Sequence, residues 1–134
     1  MLISWTDKFL VNVKEIDLQH RELVEWVNKL DEAMRNGKGK ELLGRLLGSL
    51  VDYTRNHFAT EERLLRQTNY PELAKHAAEH IDLTKRVVDF QRQFAAGTVG
   101  LTIPMMTFLS DWLTHHILST DKAYSAFLNQ HGVK

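Results

Sequence analysis

The sequence predicts an all-α protein: an up-down-up-down antiparallel four-helix bundle with an extended N-terminal arm. Apolar residues recur every three to four positions through four long stretches, the signature of helices with one buried face. Two prolines and seven glycines are the only strong breakers in 134 residues. The breaks between stretches are short, which favours antiparallel neighbours.

The arm, residues 1–16, comes first. Phe9, Val11 and Val13 alternate with polar or smaller residues. A lone strand would have no partner, so the arm reads as a strap over one end of the bundle, with Trp5 as a candidate cap. The bundle proper is expected over 17–131, as one domain spanning 1–134. Its first segment, about 18–36, carries Leu23, Val24, Val27, Leu30 and Met34, with Asp17 as a plausible N-cap. Asn36-Gly37-Lys38-Gly39 ends it. The second, about 40–66, carries Leu43, Leu46, Leu47, Leu50, Phe58 and Leu65, and Gln67-Thr68-Asn69-Tyr70-Pro71 closes it. The third begins near Pro71, a residue suited to a first helical turn, and carries Leu73, Leu83, Val87 and Phe94. After a break at Ala95-Ala96-Gly97-Thr98-Val99-Gly100, the fourth begins near Pro104 and carries Met106, Leu109, Leu113, Ile117, Tyr124 and Phe127.

Composition narrows the function. Lys+Arg and Asp+Glu both number 17, so net charge is zero with His neutral. That argues against a strongly basic nucleic-acid binder and a polybasic membrane anchor. Hydrophobic content of 43% with 25% charged residues is that of a globular domain. No apolar run approaches the length of a membrane span, and no leader pattern opens the chain, so a cytoplasmic protein is expected. Cysteine is absent, which excludes disulfides and thiolate chemistry; any metal site must use His, Asp and Glu.

Extended along each helix, the apolar stripes run into polar residues. His20 precedes Leu23 and Val24 on their face; His57 follows Leu50 by seven, with Glu61 four further on; His76 and His80 are four apart; His116 follows Leu113 by three. Residues four apart differ by about 40° around a helix and share a face. His57/Glu61 and His76/His80 can therefore each offer two groups to one point. Asp121 is awkward: five residues beyond His116, it sits about 140° away on an ideal helix. Both reach one site only if the helix is distorted there or the carboxylate comes in from a flank.

One histidine on an apolar face is ordinarily a hydrogen-bonded core residue. Five histidines and two carboxylates entering one core from four helices are different. Each costs about 1–3 kcal/mol if buried unsatisfied, and unpaired carboxylates cost more. A pair of divalent cations removes both the negative charge and the orphan lone pairs. Seven ligands exceed one tetrahedral zinc and are too nitrogen-rich for magnesium or calcium. Imidazole with carboxylate suits iron. Two six-coordinate metals offer roughly twelve positions; five imidazoles, two bridging carboxylates and a bridging oxide or hydroxide fill all but one. One vacancy suggests a small-molecule site.

Two other metal patterns compete. His76-Ala77-Ala78-Glu79-His80 spells the inverted zinc-peptidase motif, with Glu79 as base, but that leaves His20, His57, Glu61 and His116 idle. Otherwise Glu79 is a solvated residue off the core face. A ferritin-like centre needs Glu-x-x-His, and no Glu here has His three residues later.

Taken in order, the motifs resemble the hemerythrin family in its single-domain bacterial form. The resemblance spans almost the whole chain. It is carried by Ile3-Ser4-Trp5, Phe9-Leu10-Val11 and Ile16-Asp17-Leu18-Gln19-His20; by His57-Phe58-Ala59-Thr60-Glu61 and His76-Ala77-Ala78-Glu79-His80; and by Trp112-Leu113-Thr114-His115-His116-Ile117 through Asp121. The resemblance implies two non-haem irons, cycling between Fe2+ and Fe3+. His76, His80 and His116 would hold one; His20 and His57 would hold the other, which carries the vacancy. Glu61, Asp121 and an oxo or hydroxo group would bridge them. In that family dioxygen binds the vacant diferrous iron and is held as a hydroperoxide, its proton coming from the bridging hydroxide. The implied function is reversible dioxygen transport or storage rather than catalysis. A sensing module, a di-iron peroxidase or oxidase, and a metal store are the rival functions. A protein recipient of the oxygen is a possible partner, which the sequence does not identify. Trp112 and Phe58 neighbour ligands and are expected to pack in the core or tune the site. Gln19 or Asp17 is placed to support His20, whereas His115 and His131 are expected in solvent.

Overall fold

A computed structural model describes residues 2–97 and 103–134. Four helices form the bundle: α1 (Lys14–Arg35), α2 (Lys40–Gln67), α3 (Leu73–Ala95) and α4 (Ile103–His115). The fourth continues through a π-helical turn (His116–Asp121) and a 3-10 turn (Lys122–Tyr124) into a short α5 (Ser125–Gln130). Helix α1 packs on α2 and α4, α2 packs on α3, and Phe90 of α3 meets Phe108 of α4 edge-on. Among the described residues there is no strand.

Helices α1 and α2 end where the sequence breaks. Each closes with a left-handed residue, Gly37 (φ +65°) and Asn69 (φ +57°). The amides that follow turn back onto the helix, Lys38 N–H to Ala33 C=O and Tyr70 N–H to Leu65 C=O, so the terminal carbonyls are satisfied. Residues 98–100 of the third expected break lie outside the described residues.

Two boundaries differ from the sequence expectation. Helix α1 begins at Lys14, so Asp17 lies in its first turn and is not the N-cap; that position is Val13. The Asp17 carboxylate instead accepts the Val11 amide at 2.7 Å, tying arm to helix. Pro71 lies in the turn before α3 rather than inside it, with Leu73 N–H closing that turn onto Tyr70 C=O.

The arm is a strap without regular structure apart from a 3-10 turn at Asp7–Phe9, and it bends at Asn12, whose φ is +61°. Asn28 pairs with both backbone groups of Ile3 at 2.8 Å, and Ser125 and Asn129 donate to the carbonyls of Val11 and Asn12. Half-buried Trp5 stacks on Phe9, covering that part of the core.

The apolar core is divided in two. One cluster includes Leu23, Phe58, Leu83 and Ile117; the other includes Ile16, Leu64, Tyr124 and Leu128. Along α1 the switch from one cluster to the other passes through His20; along α2 it passes through Glu61, and beyond α4 through Asp121. The bundle therefore carries a polar layer between two apolar ones.

Candidate metal centre

The polar layer contains all seven candidate ligands. His20, His57, Glu61, His76, His80, His116 and Asp121 are each 0–3% exposed. Helical stacking on one face delivers the pairs from α2 and α3 as the spacing requires. The last pair needs the π-helical turn. There Lys122 N–H bonds to Ile117 C=O, five residues back, and this wider winding brings Asp121 round onto the His116 face. His116 Nε2 and Asp121 Oδ1 end 2.9 Å apart.

The carboxylates divide their oxygens between two groups of imidazoles. Glu61 Oε1 faces His20 Nε2 (3.0 Å) and His57 Nε2 (2.9 Å), while Oε2 faces His76 Nε2 (3.1 Å) and His80 Nε2 (3.0 Å). Asp121 Oδ2 faces His20 Nε2 (2.9 Å), while Oδ1 faces His76 (3.0 Å) and His116. Two overlapping sets result, each with its donor atoms within 4.8 Å of one another: Glu61, His76, His80, His116 and Asp121; and His20, His57, Glu61 and Asp121. The two carboxylates belong to both.

Electrostatics follow from this crowding. Burial opposes a charge on His20 and His76, but hydrogen bonds and attraction from Asp121 and Glu61 outweigh it, raising them to about 9 and about 10. Burial, with repulsion from His20, lowers His57 despite the pull of Glu61. Burial would raise Glu61, yet the imidazoles of His57, His20 and His76 hold it well below the usual carboxylate range. Asp121 is likewise lowered, burial and Glu61 being overcome by His116 and His20.

The donor set fits metal. The Nε2 atoms of His57, His80 and His116 and both Asp121 oxygens are buried without an aligned hydrogen-bond partner among the described residues. They approach one another closely yet are not satisfied by one another, as expected of lone pairs directed at shared points. Buried polar groups left in this state are rare and call for an explanation. Nitrogen-rich donors with shared carboxylates suit iron better than magnesium or calcium.

Around this centre, several residues stand differently from the sequence expectation. Gln19 supports His57 rather than His20: its Oε1 accepts from His57 Nδ1 at 2.7 Å. Glu79 is not simply solvated; its carboxylate lies 3.4 Å from His116 Nδ1, on the outer edge of that ring and not over the cluster as a peptidase base would be. Two contacts carried no sequence signal. Glu62, one position off the core face of α2, accepts from His80 Nδ1 at 3.0 Å. Tyr124, which patterns as apolar, donates its buried hydroxyl to Glu61 Oε1 at 3.0 Å, and its pKa is pushed well up by burial and by Asp121 and Glu61. His115 and His131 are exposed as expected.

Aromatic rings close the centre. Phe58 stacks on His80 (3.8 Å between centroids) and Trp112 on His116 (4.5 Å). Both rings also line a small apolar cavity of about 30 Å³ in the adjoining core, with Leu23, Leu50, Leu109 and Leu113.

Known proteins share this fold. Residues 11–128 match the family model described as the hemerythrin HHE cation binding domain. A bacteriohemerythrin of Stenotrophomonas maltophilia (strain R551-3) is 36% identical over 133 residues, covering 96% of this chain and 86% of that one. Another, from Methylococcus capsulatus (strain ATCC 33009 / NCIMB 11132 / Bath), is 36% identical over 129 residues, covering 96% and 98%. A crystal structure of wild-type hemerythrin superposes with a TM-score of 0.91 at 35% identity, covering 96% and 98%.

Proposed function

The chain belongs to the hemerythrin family, and from that premise we propose that it binds dioxygen reversibly at a pair of non-haem irons, as a carrier or store rather than an enzyme. His76, His80 and His116 would hold one iron and His20 and His57 the other, with Glu61 and Asp121 shared. One observation carries this reading: each of two buried carboxylates gives one oxygen to a three-imidazole group and the other to a two-imidazole group. Once bound there, an iron pair would supply reversible two-electron redox chemistry.

The chain's own residues suit that exchange. Two carboxylates held ionised offset much of the metal charge inside a bundle that could not otherwise accommodate it. The unequal imidazole count leaves the two-His position the less filled. Phe58 and Trp112 keep bulk water from the rings they cover, and the apolar cavity beside them favours a small nonpolar guest over water. The Tyr124 proton is engaged by Glu61, and the hydroxyl does not line the apolar cavity.

An oxygen titration tests the proposal. Reduced, iron-loaded protein is expected to take up one dioxygen per two irons. An absorption band in the visible should appear with oxygen, vanish on evacuation and return over repeated cycles. Continuous oxygen consumption with added reductant, and no stable oxygenated form, would instead make the protein an oxidase or peroxidase.

A further inference from the structure

The five imidazoles turn Nε2 inward, and what stands behind their Nδ1 atoms divides them. On the three-imidazole side carboxylates stand behind two of the three rings. His80 Nδ1 donates to Glu62 Oε2 at 3.0 Å, and Glu79 Oε2 lies 3.4 Å from His116 Nδ1, at ion-pair range without hydrogen-bond alignment. On the two-imidazole side the neighbour of His57 Nδ1 is a neutral amide, Gln19 Oε1, at 2.7 Å. His20 Nδ1 is buried with no hydrogen-bond partner among the described residues. Two of the three rings on one side are thus backed by negative charge, and among the described residues neither ring on the other side is.

We infer that Glu62, with Glu79 assisting, is a positioning residue that makes the centre electrically unequal: it favours the higher metal charge at the three-imidazole position and leaves the Gln19-backed position the more easily reduced. The inference rests on the two-iron reading above. A carboxylate acceptor fixes the tautomer that keeps the Nε2 lone pair inward and makes the imidazole a stronger electron donor. A charge-assisted hydrogen bond is also stronger than the amide's neutral one. Greater donation, together with a nearby negative charge, stabilises Fe3+ more than Fe2+. The Glu62 side chain is only 26% exposed, so solvent screens it incompletely. The arrangement matches a carrier in which only the less filled iron needs to open toward a guest, while the other stays firmly held.

The test compares full-length, iron-loaded parent with Glu62→Gln, Glu62→Gln/Glu79→Gln and Gln19→Glu by optical redox titration of the two one-electron steps. Glutamine keeps an acceptor behind His80 but removes the charge. The double variant is expected to lose about tenfold of the Fe3+ over Fe2+ preference at the three-imidazole iron, an upward shift of about 59 mV in that step. Gln19→Glu, which leaves both carboxylates in place, is expected to shift the other step downward by a similar amount, narrowing the gap from the opposite side. Without any redox change, the His80 Nδ1–H proton resonance of zinc-loaded protein should move on Glu62→Gln and stay in place on Gln19→Glu. Potentials that stay within a twofold preference of the parent in both the double variant and Gln19→Glu, with two irons retained, would overturn the inference and leave the two-iron reading intact. If the double variant loses iron, Gln19→Glu decides alone. A parent that holds no iron pair would overturn both.

Discussion

Glu61 is the residue on which the centre turns. One of its oxygens meets His20, His57 and Tyr124, and the other meets His76 and His80. Its burial is tolerable only because those groups surround it. Truncation of an imidazole should therefore be felt at the metal first. In His57→Ala the two-imidazole position keeps one imidazole, and the iron content after dialysis against a chelator is expected to fall from two per chain toward one. His80→Ala should likewise lower retention at the other position. Both effects should exceed the roughly 10–100-fold loss typical of an outer-partner change. Circular dichroism verifies that each variant is folded; full iron occupancy in either would contradict the ligand assignment. All seven candidate ligands were legible in the sequence because a polar residue on an apolar helical face stands out. Glu62 and Tyr124 were not, for opposite reasons. Glu62 sits off the face, where acids are ordinary, and Tyr124 hides a polar tip on a body that patterns as core.

Helical elements were legible to within a few residues wherever a left-handed residue closes them, as at Gly37 and Asn69. The start of α1 was misjudged because an aspartate near a helix N-terminus reads as a cap, whereas Asp17 uses its carboxylate to hold the arm. The π-helical turn was visible only as a conflict: His116 and Asp121 share a purpose but not an α-helical face. Spacing alone could not say whether the helix or the approach gives way, and the hydrogen bond from Lys122 to Ile117 shows that the helix does. The arm makes its own prediction. The bond from Val11 N–H to Asp17 is partly buried and charge-assisted, so Asp17→Ala should cost about 2 kcal/mol. A lower melting temperature and faster hydrogen exchange at the Val11 amide are expected. Unchanged exchange there would show that Ser125 and Asn129 hold the strap without Asp17.

Across the whole molecule, a polar layer between two apolar clusters must be held either by metal or by its own charges. Without metal, His20 and His76 are protonated partners of Glu61 and Asp121. Their folded pKa values, about 9 and about 10, lie above the ordinary 6.5, so the stability they contribute is full below 6.5. It declines above that and is gone once pH has risen past about 10. The lowered carboxylates behave oppositely: their contribution is present above the usual carboxylate range and is lost as pH falls through it. His57, also lowered, destabilises the fold below 6.5. The melting temperature of metal-free protein should therefore fall between pH 6.5 and 10, and iron loading at pH 8 should release protons, seen with an indicator dye in weak buffer. A metal-free melting temperature that rises over that window would contradict the ion-paired layer. No helix among the described residues is long and apolar enough to cross a membrane. The most direct test of the central claim is metal analysis of the protein purified from iron-replete cells without added metal. Two irons per chain, falling when Glu61 is changed to Gln, are expected. Zinc alone, or one metal per chain in the unaltered protein, would contradict it.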